Sequence, residues 1–206
     1  MRVRSTAPFR VCEDFVDRFT NIKLAGLNYD YFVPANAKKD PYTKNTRIYS
    51  CILIDNSITH RWSGAGKNNS PYNEDTNLSL KVLKDGDCTV LMNTFACGKT
   101  PTMTMGGGNT DEIYKKSDTT KFDNRFEFAN CLKEEHPDVV EITQRYGRWH
   151  HQVDYSSFAK NKFILKEGLD ISKDANEYGM VLVRVDSAGI PVNYANIDTI
   201  FNMTEE

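Results

Sequence analysis

The apolar positions of this chain change period several times along its length, and each change predicts an element. Over residues 11–22, Val11, Phe15, Phe19 and Ile22 recur at helical spacing with acidic residues between them, the pattern of an amphipathic helix ended near Gly26. From Leu27 to Lys44 the pattern dissolves into Tyr, Asn, Pro and Lys, and Pro34 and Pro41 break any helix, so a loop with a short extended piece is expected. Arg47 to Ile54 carries the β-branched and aromatic content of a strand, and its solid apolar end implies burial on both faces.

Residues 63–77 are a run of turn formers without apolar periodicity and read as an exposed, mobile loop. Leu78 to Leu83 and Cys88 to Met92 flank Asp85-Gly86, which predicts a β-hairpin. Residues 101–110, with Pro101 and three glycines from Gly106 to Gly108, read as a second exposed loop. Asp123 is placed to cap a helix carrying Phe126, Ala129, Cys131 and Leu132, which Pro137 stops, and Val139 to Ile142 is a short strand. Ser156 or Ser157 opens another helix through Phe158, Lys162 and Leu165 to Gly168. A hairpin over Met180 to Tyr194 and a closing helix with Ile197, Ile200 and Phe201 complete the chain. Strands that come mostly as hairpins, with helices intruding without strict alternation, favour the α+β class: an antiparallel or mixed sheet built from hairpins, with helices packed on one face. A single globular domain over residues 1–206 is expected from the length.

Composition narrows the function classes. With 39% apolar and 26% charged residues the chain is neither disordered nor fibrous. A net charge of −2 opposes wholesale capture of nucleic acid and permits only a local basic patch. The longest apolar runs, Cys51 to Ile54 and Met180 to Val183, are far below the roughly 20 residues of a spanning helix, and no apolar signal core follows the basic start. No membrane association and a cytoplasmic location, in a cell or an infected host, are therefore expected. Five cysteines, odd in number and never spaced as Cys-x-x-Cys, disfavour a disulfide framework and a zinc ribbon. Eighteen asparagines, and 16 lysines against 10 arginines, accompany the AT-rich genomes of phages and similar sources.

Chemistry concentrates in one place. Arg145, Tyr146, Arg148, Trp149, His150 and His151 place guanidiniums, rings and imidazoles within seven residues, the parts from which single-strand binders hold phosphate and stack bases. The same residues also suit a packed turn at Gly147 with solvated arginines. Adjacent histidines do not converge on one metal ion as an i, i+4 pair would, so neither a metal nor a cofactor is expected. Gly98-Lys99-Thr100 resembles only the end of a phosphate-cradling loop, since Asn93 stands where the first glycine belongs. Gly64, Gly66 and the Gly106 triplet are places where backbone amides could meet an anion. The reading that follows is a non-enzymatic binding protein that contacts an anionic partner, nucleic acid or nucleotide, or else a protein, through the 145–151 cluster. The alternative is a cysteine hydrolase using Cys97 with His150 or His151.

Overall fold

The computed structural model describes residues 5–33, 40–66, 72–100 and 124–169, and the expected hairpin over 180–194, the closing helix and the 101–110 loop lie outside them. Contacts divide the chain into a larger unit, Asn21–Lys162, and a smaller one that joins the stretch up to Thr20 to the stretch from Phe163 onward.

In the smaller unit α1 runs over Ala7–Asp17 instead of 11–22. Pro8 suits its first turn, where a missing N–H costs nothing, and Ser5 Oγ accepts from the Ala7 amide at 3.1 Å. Arg18 reaches back one turn to Asp14 at 3.1 Å. Phe19, read as a helical position, has left the helix: it bridges Leu165 and packs its ring 4.9 Å from Phe163 and 5.4 Å from Phe15.

The larger unit is α+β. Its strands are β1 (Ile22–Tyr29), β2 (Tyr42–Lys44), β3 (Leu53–Ile54), β4 (Cys88–Cys97), β5 (Val140–Arg145) and β6 (Arg148–Val153); its helices are α2 (Glu74–Lys84) and α3 (Asn124–Glu135). One sheet has the order β2-β4-β1-β3, with β1 and β4 parallel at its centre and the short outer strands antiparallel; β5 and β6 form a separate antiparallel hairpin. Parallel neighbours need a crossover, and α2 supplies it.

The expected hairpin over 78–92 is corrected here: Leu78 to Leu83 is helical, and Asp85-Gly86 ends that helix before β4. The alternation that imitates a strand has a physical source. Leu78 and Val82 face a core with Leu24, Ile48 and Leu91, while Leu80 and Leu83 face a second core with Leu132, Val139, Val140 and Phe158. A helix buried from two sides needs no single apolar stripe. Its buried polar positions are hydrogen-bonded: Asn77 to Ser63 O and His136 Nε2, and Ser79 Oγ to Asp75 O.

Two further expectations change. Ile22–Tyr29 is a nearly continuous buried strand, not a helix end and loop, and Gly26 sits inside it because a Cβ there would stand 2.6 Å from Ser50 O and 2.7 Å from Ile48 Cγ2. That crossing chain, residues 47–52, is irregular, so only Leu53–Ile54 of the expected 47–54 strand pairs with β1. The helix expected after Ser156 is one 3-10 turn, Tyr155–Phe158, capped by Asp154. Asparagines then fasten the chain that follows it. Asn45 Nδ2 donates to Phe158 O and Asn161 O, Asn161 Nδ2 to Leu83 O and Asp87 O, and Asn21 Nδ2 to Lys162 O.

Candidate functional site

Parallel neighbours end at the same edge of a sheet, and the crossover helix begins there, so the carboxyl ends of β1 and β4 and the first turn of α2 share one end of the larger unit. Ligands of such sheets bind outside the carboxyl ends of the strands. Here the ladder breaks: Leu27 pairs with Met92, but Asn28 pairs with Ala96, so residues 93–95 bulge out and the Asn93 and Thr94 amides turn to Pro41 O. Buried Asn28 and Asn93 hold the break, with Asn28 Nδ2 donating to Asn93 Oδ1 at 2.9 Å and Asn28 Oδ1 accepting from the Tyr49 hydroxyl. Beyond the bulge β4 turns from fully buried to alternately exposed.

A group of rings collects at that edge. Tyr29 stacks on Tyr31 at 5.5 Å, Tyr49 lies 5.1 Å from Tyr29, and Phe32 lies 4.2 Å from Tyr31. Tyr31 is 55% and Phe32 47% exposed, so the group presents aromatic surface to solvent. Two cations sit over the rings: Lys99 Nζ is 4.9 Å from the Tyr29 centroid and Arg47 Cζ 4.8 Å from that of Tyr49. Burial pushes the Tyr49 phenol up to about 12, against the lowering effect of Arg47, so it stays a neutral donor. Arg47 also stands 4.0 Å from Asp75 in the first turn of α2, and Asp30 follows β1 beside Gly98.

The residues singled out from sequence lie on the β5–β6 hairpin, in the same unit. Tyr146 and Gly147 form its turn with φ of 52° and 68°, the two positive values of a type I′ turn, and Tyr146 is 97% exposed. Arg145 and Arg148 are exposed and directly opposite each other, and Arg145 Nη2 donates to Gln152. Trp149 is half-buried, edge-on to Phe126 of α3 at 5.0 Å. His150 is exposed and His151 half-buried, on opposite faces as adjacent strand residues must be. Burial, then Arg47, depress His151 to about 4, with Asp75 opposing, so the hairpin's inner face and the Arg47–Asp75 pair share one electrostatic neighbourhood.

Cys97 is not set up as a nucleophile beside an imidazole: its polar neighbours are Ser50 Oγ at 3.5 Å and Leu27 O at 3.9 Å. Among the described residues no cluster of three or more His, Cys, Asp or Glu is placed to hold a metal ion, and no helix is long and apolar enough to cross a membrane. Arg47, Tyr29, Tyr49 and Lys99 escaped the sequence reading because they converge from separate segments. The one local cue is the run of tyrosines from Tyr29 to Tyr42, which reads as part of a loop, while Arg47 and Tyr49 read as part of a strand.

No curated protein and no solved structure matches this chain. A family model does, that of the TET-associated glycosyltransferases, over residues 2–108. The matched stretch contains β1, Arg47, Tyr49, α2, β4 and Lys99, and it stops before the β5–β6 hairpin. Because it covers just over half of the 206 residues, the chain belongs to the TET-associated glycosyltransferase family.

Proposed function

We propose that this chain moves a glycosyl group from a nucleoside diphosphate sugar to an acceptor hydroxyl, with the donor held at the carboxyl ends of β1 and β4. The observation that carries the reading is the pair of cations over neighbouring tyrosine rings, Arg47 over Tyr49 and Lys99 over Tyr29, within the family-matched stretch. Breaking the bond between the anomeric carbon and its phosphate oxygen leaves negative charge on the departing diphosphate. Arg47 and Lys99 are placed to neutralise it, Arg47 in a fork that fits phosphate oxygens and Lys99 as a point charge. Tyr31, exposed and backed by the stacked Tyr29 ring, offers a stacking face for the nucleobase. Asp30, beside Gly98, and Asp75, beside Arg47, are carboxylates at this end suited to taking the acceptor's proton.

The test is donor binding by calorimetry with a panel of nucleoside diphosphate sugars, followed by mass analysis of transfer products. Arg47→Ala and Lys99→Ala should each weaken donor binding about tenfold, the size of one charge-assisted contact of about 1.4 kcal/mol, with the fold unchanged. Absence of binding by every donor in the panel would sink the reading.

A second observation favours an anionic acceptor such as nucleic acid at the hairpin tip. Like charges directly opposite on a hairpin are destabilising, and Arg145 faces Arg148 beside an almost fully exposed Tyr146. Replacing both arginines with alanine should weaken binding of a single-stranded oligonucleotide and flatten its salt dependence, with donor binding untouched. An unchanged salt slope would remove the acceptor assignment and leave the donor site standing.

A further inference from the structure

Main-chain contacts, and not side-chain reach alone, bring Arg47 and Asp75 together. The amide of Ile48, the residue after Arg47, donates to Ser79 Oγ at 3.1 Å, and that hydroxyl donates to Asp75 O at 2.7 Å, one turn back along α2. Ile48 and Ser79 are buried, so the chain at Arg47 is fastened to the first turn of the helix whatever the two charged side chains do. Each charged group then has its own support. Asp75 Oδ1 accepts from the amide and the hydroxyl of fully buried Thr76 at 2.6 and 3.1 Å, and the helix N-terminus favours its negative charge. The Arg47 guanidinium lies over the Tyr49 ring, whose hydroxyl donates to buried Asn28. Between these supported groups the contact itself is weak. Arg47 Nε and Asp75 Oδ2 stand 4.0 Å apart, beyond the ~2.7–2.9 Å of a charge-assisted hydrogen bond, with side chains 37% and 25% exposed.

We propose that Asp75 is an exchangeable counter-ion: in the free chain it occupies Arg47, and the diphosphate of the donor displaces it. This exchange rests on the donor reading of the same site. A phosphate group offers two oxygens to the guanidinium fork, so short charge-assisted bonds replace one 4.0 Å contact and the ligand wins. Neither partner is left stranded. The carboxylate keeps its Thr76 bonds and the helix end, and the guanidinium keeps the Tyr49 face, so only the Arg47 side chain has to turn. The bond from Ile48 to Ser79 holds the backbone still meanwhile. Two consequences separate this from general charge repulsion. Asp75 opposes the diphosphate chiefly through Arg47, so the effects of the two residues on binding are not additive. Its Oδ2 is released toward an acceptor hydroxyl only after the donor has bound, which sets Asp75 apart from Asp30, beside Gly98, as the carboxylate whose availability depends on the donor.

The test titrates inorganic pyrophosphate by calorimetry into the intact wild-type chain and into Asp75→Asn, Arg47→Ala and the double variant. Asparagine keeps an oxygen for the Thr76 amide, so Asp75→Asn should fold, with its melting temperature as the check. Pyrophosphate should bind Asp75→Asn about threefold more tightly than wild type, the size of one exposed ion pair. In the Arg47→Ala background the same substitution should change affinity almost not at all. In the wild type the carboxyl carbon resonance of Asp75 should shift as pyrophosphate saturates the site, and this spectrum decides alone if Asp75→Asn does not fold. Equal affinity of Asp75→Asn and wild type, an equal gain with and without Arg47, or an unmoved carboxyl resonance would overturn the exchange, while weaker binding by Arg47→Ala would leave the donor site standing. Failure of pyrophosphate to bind either wild type or Asp75→Asn would remove the donor site itself, and the exchange with it.

Discussion

The central strands and the β5–β6 hairpin are built on different physical terms. From Leu24 to Asn28 and from Cys88 to Asn93 every residue is buried, whereas β6 alternates exposed and half-buried along its whole length. Each region has a glycine that shows the difference. Gly26 is required for space, since a Cβ there meets backbone and side chain below 3 Å. Gly147 is required for its dihedral, because a Cβ there meets nothing within 4 Å but φ is 68°. The first region is specified by what packing excludes, and the second by one turn, which leaves the hairpin's outer residues free to carry recognition.

The sharpest way to break that comparison is to fill both glycines. Gly26→Ala should cost about 3 kcal/mol or more, the upper range of overpacking, because the nearest atom belongs to backbone and cannot rotate away. Denaturant unfolding measures it, and a loss below about 1 kcal/mol would show that residues 48–51 give way easily. Gly147→Ala should cost only about 1 kcal/mol, and Gly147→Asn less, since asparagine tolerates the left-handed region. Asparagine at position 26 should be worse than alanine, so opposite responses to one substitution separate space from dihedral.

Acid tests the hairpin against the helical layer beside the sheet, because each holds one depressed imidazole: His151 on β6, and His136 just after α3, where it bonds Asn77 of α2. His136 is brought to about 4 first by burial and then by Lys84 and Lys81, with Glu135 and Asp138 opposing; His151 is brought to about 4 by burial, then Arg47 and His150, with Asp75 opposing. The unfolded chain, titrating near 6.5, binds protons that the fold refuses, so their contribution is intact above pH 6.5 and is lost as pH falls toward 4. The shift at buried His136 corresponds to about 3 kcal/mol, and His151, less deeply buried on β6, should give less. Unfolding measured across this window should steepen with acid, and His136→Gln should remove the larger share. An equal slope in that variant would mean that His136 is not held neutral.

The smallest effect expected concerns Trp149. Its edge contact with Phe126 is worth about 1 kcal/mol beyond area, so Trp149→Ala should lower the melting temperature by a few degrees and leave the central sheet intact. Collapse of the whole larger unit in this variant would make the hairpin part of the core.

What could be read in advance follows the same division. The turn at Gly147, the strand before it and the helix ended by Pro137 are locally determined, and residues within a few positions of each other announced them. Helix α2 was not legible, because Leu78, Leu80, Val82 and Leu83 serve two cores and its remaining buried positions are polar. Phe19 and Ile22 extended the helical repeat past Asp17 since the same spacing continues by accident into the chain before β1. The aromatic–cation edge was hidden for another reason: Tyr29, Arg47 and Lys99 are brought together by the parallel pairing of β1 with β4 and by the crossing of residues 47–52, which local pattern does not reveal.

The asparagine clamps have a consequence for how this protein ages. Asn45 and Asn161 each donate two hydrogen bonds to main-chain carbonyls, and asparagine is among the residues whose side chains degrade on heating. Conversion of either amide to a carboxylate keeps the shape and removes every donor, leaving a negative charge against two carbonyl oxygens. While the clamps hold, they keep their own backbone rigid and slow that hydrolysis. Once residues 158–162 open, the protection and the thing protected are lost together, so damage at these two asparagines should follow how often that short segment opens.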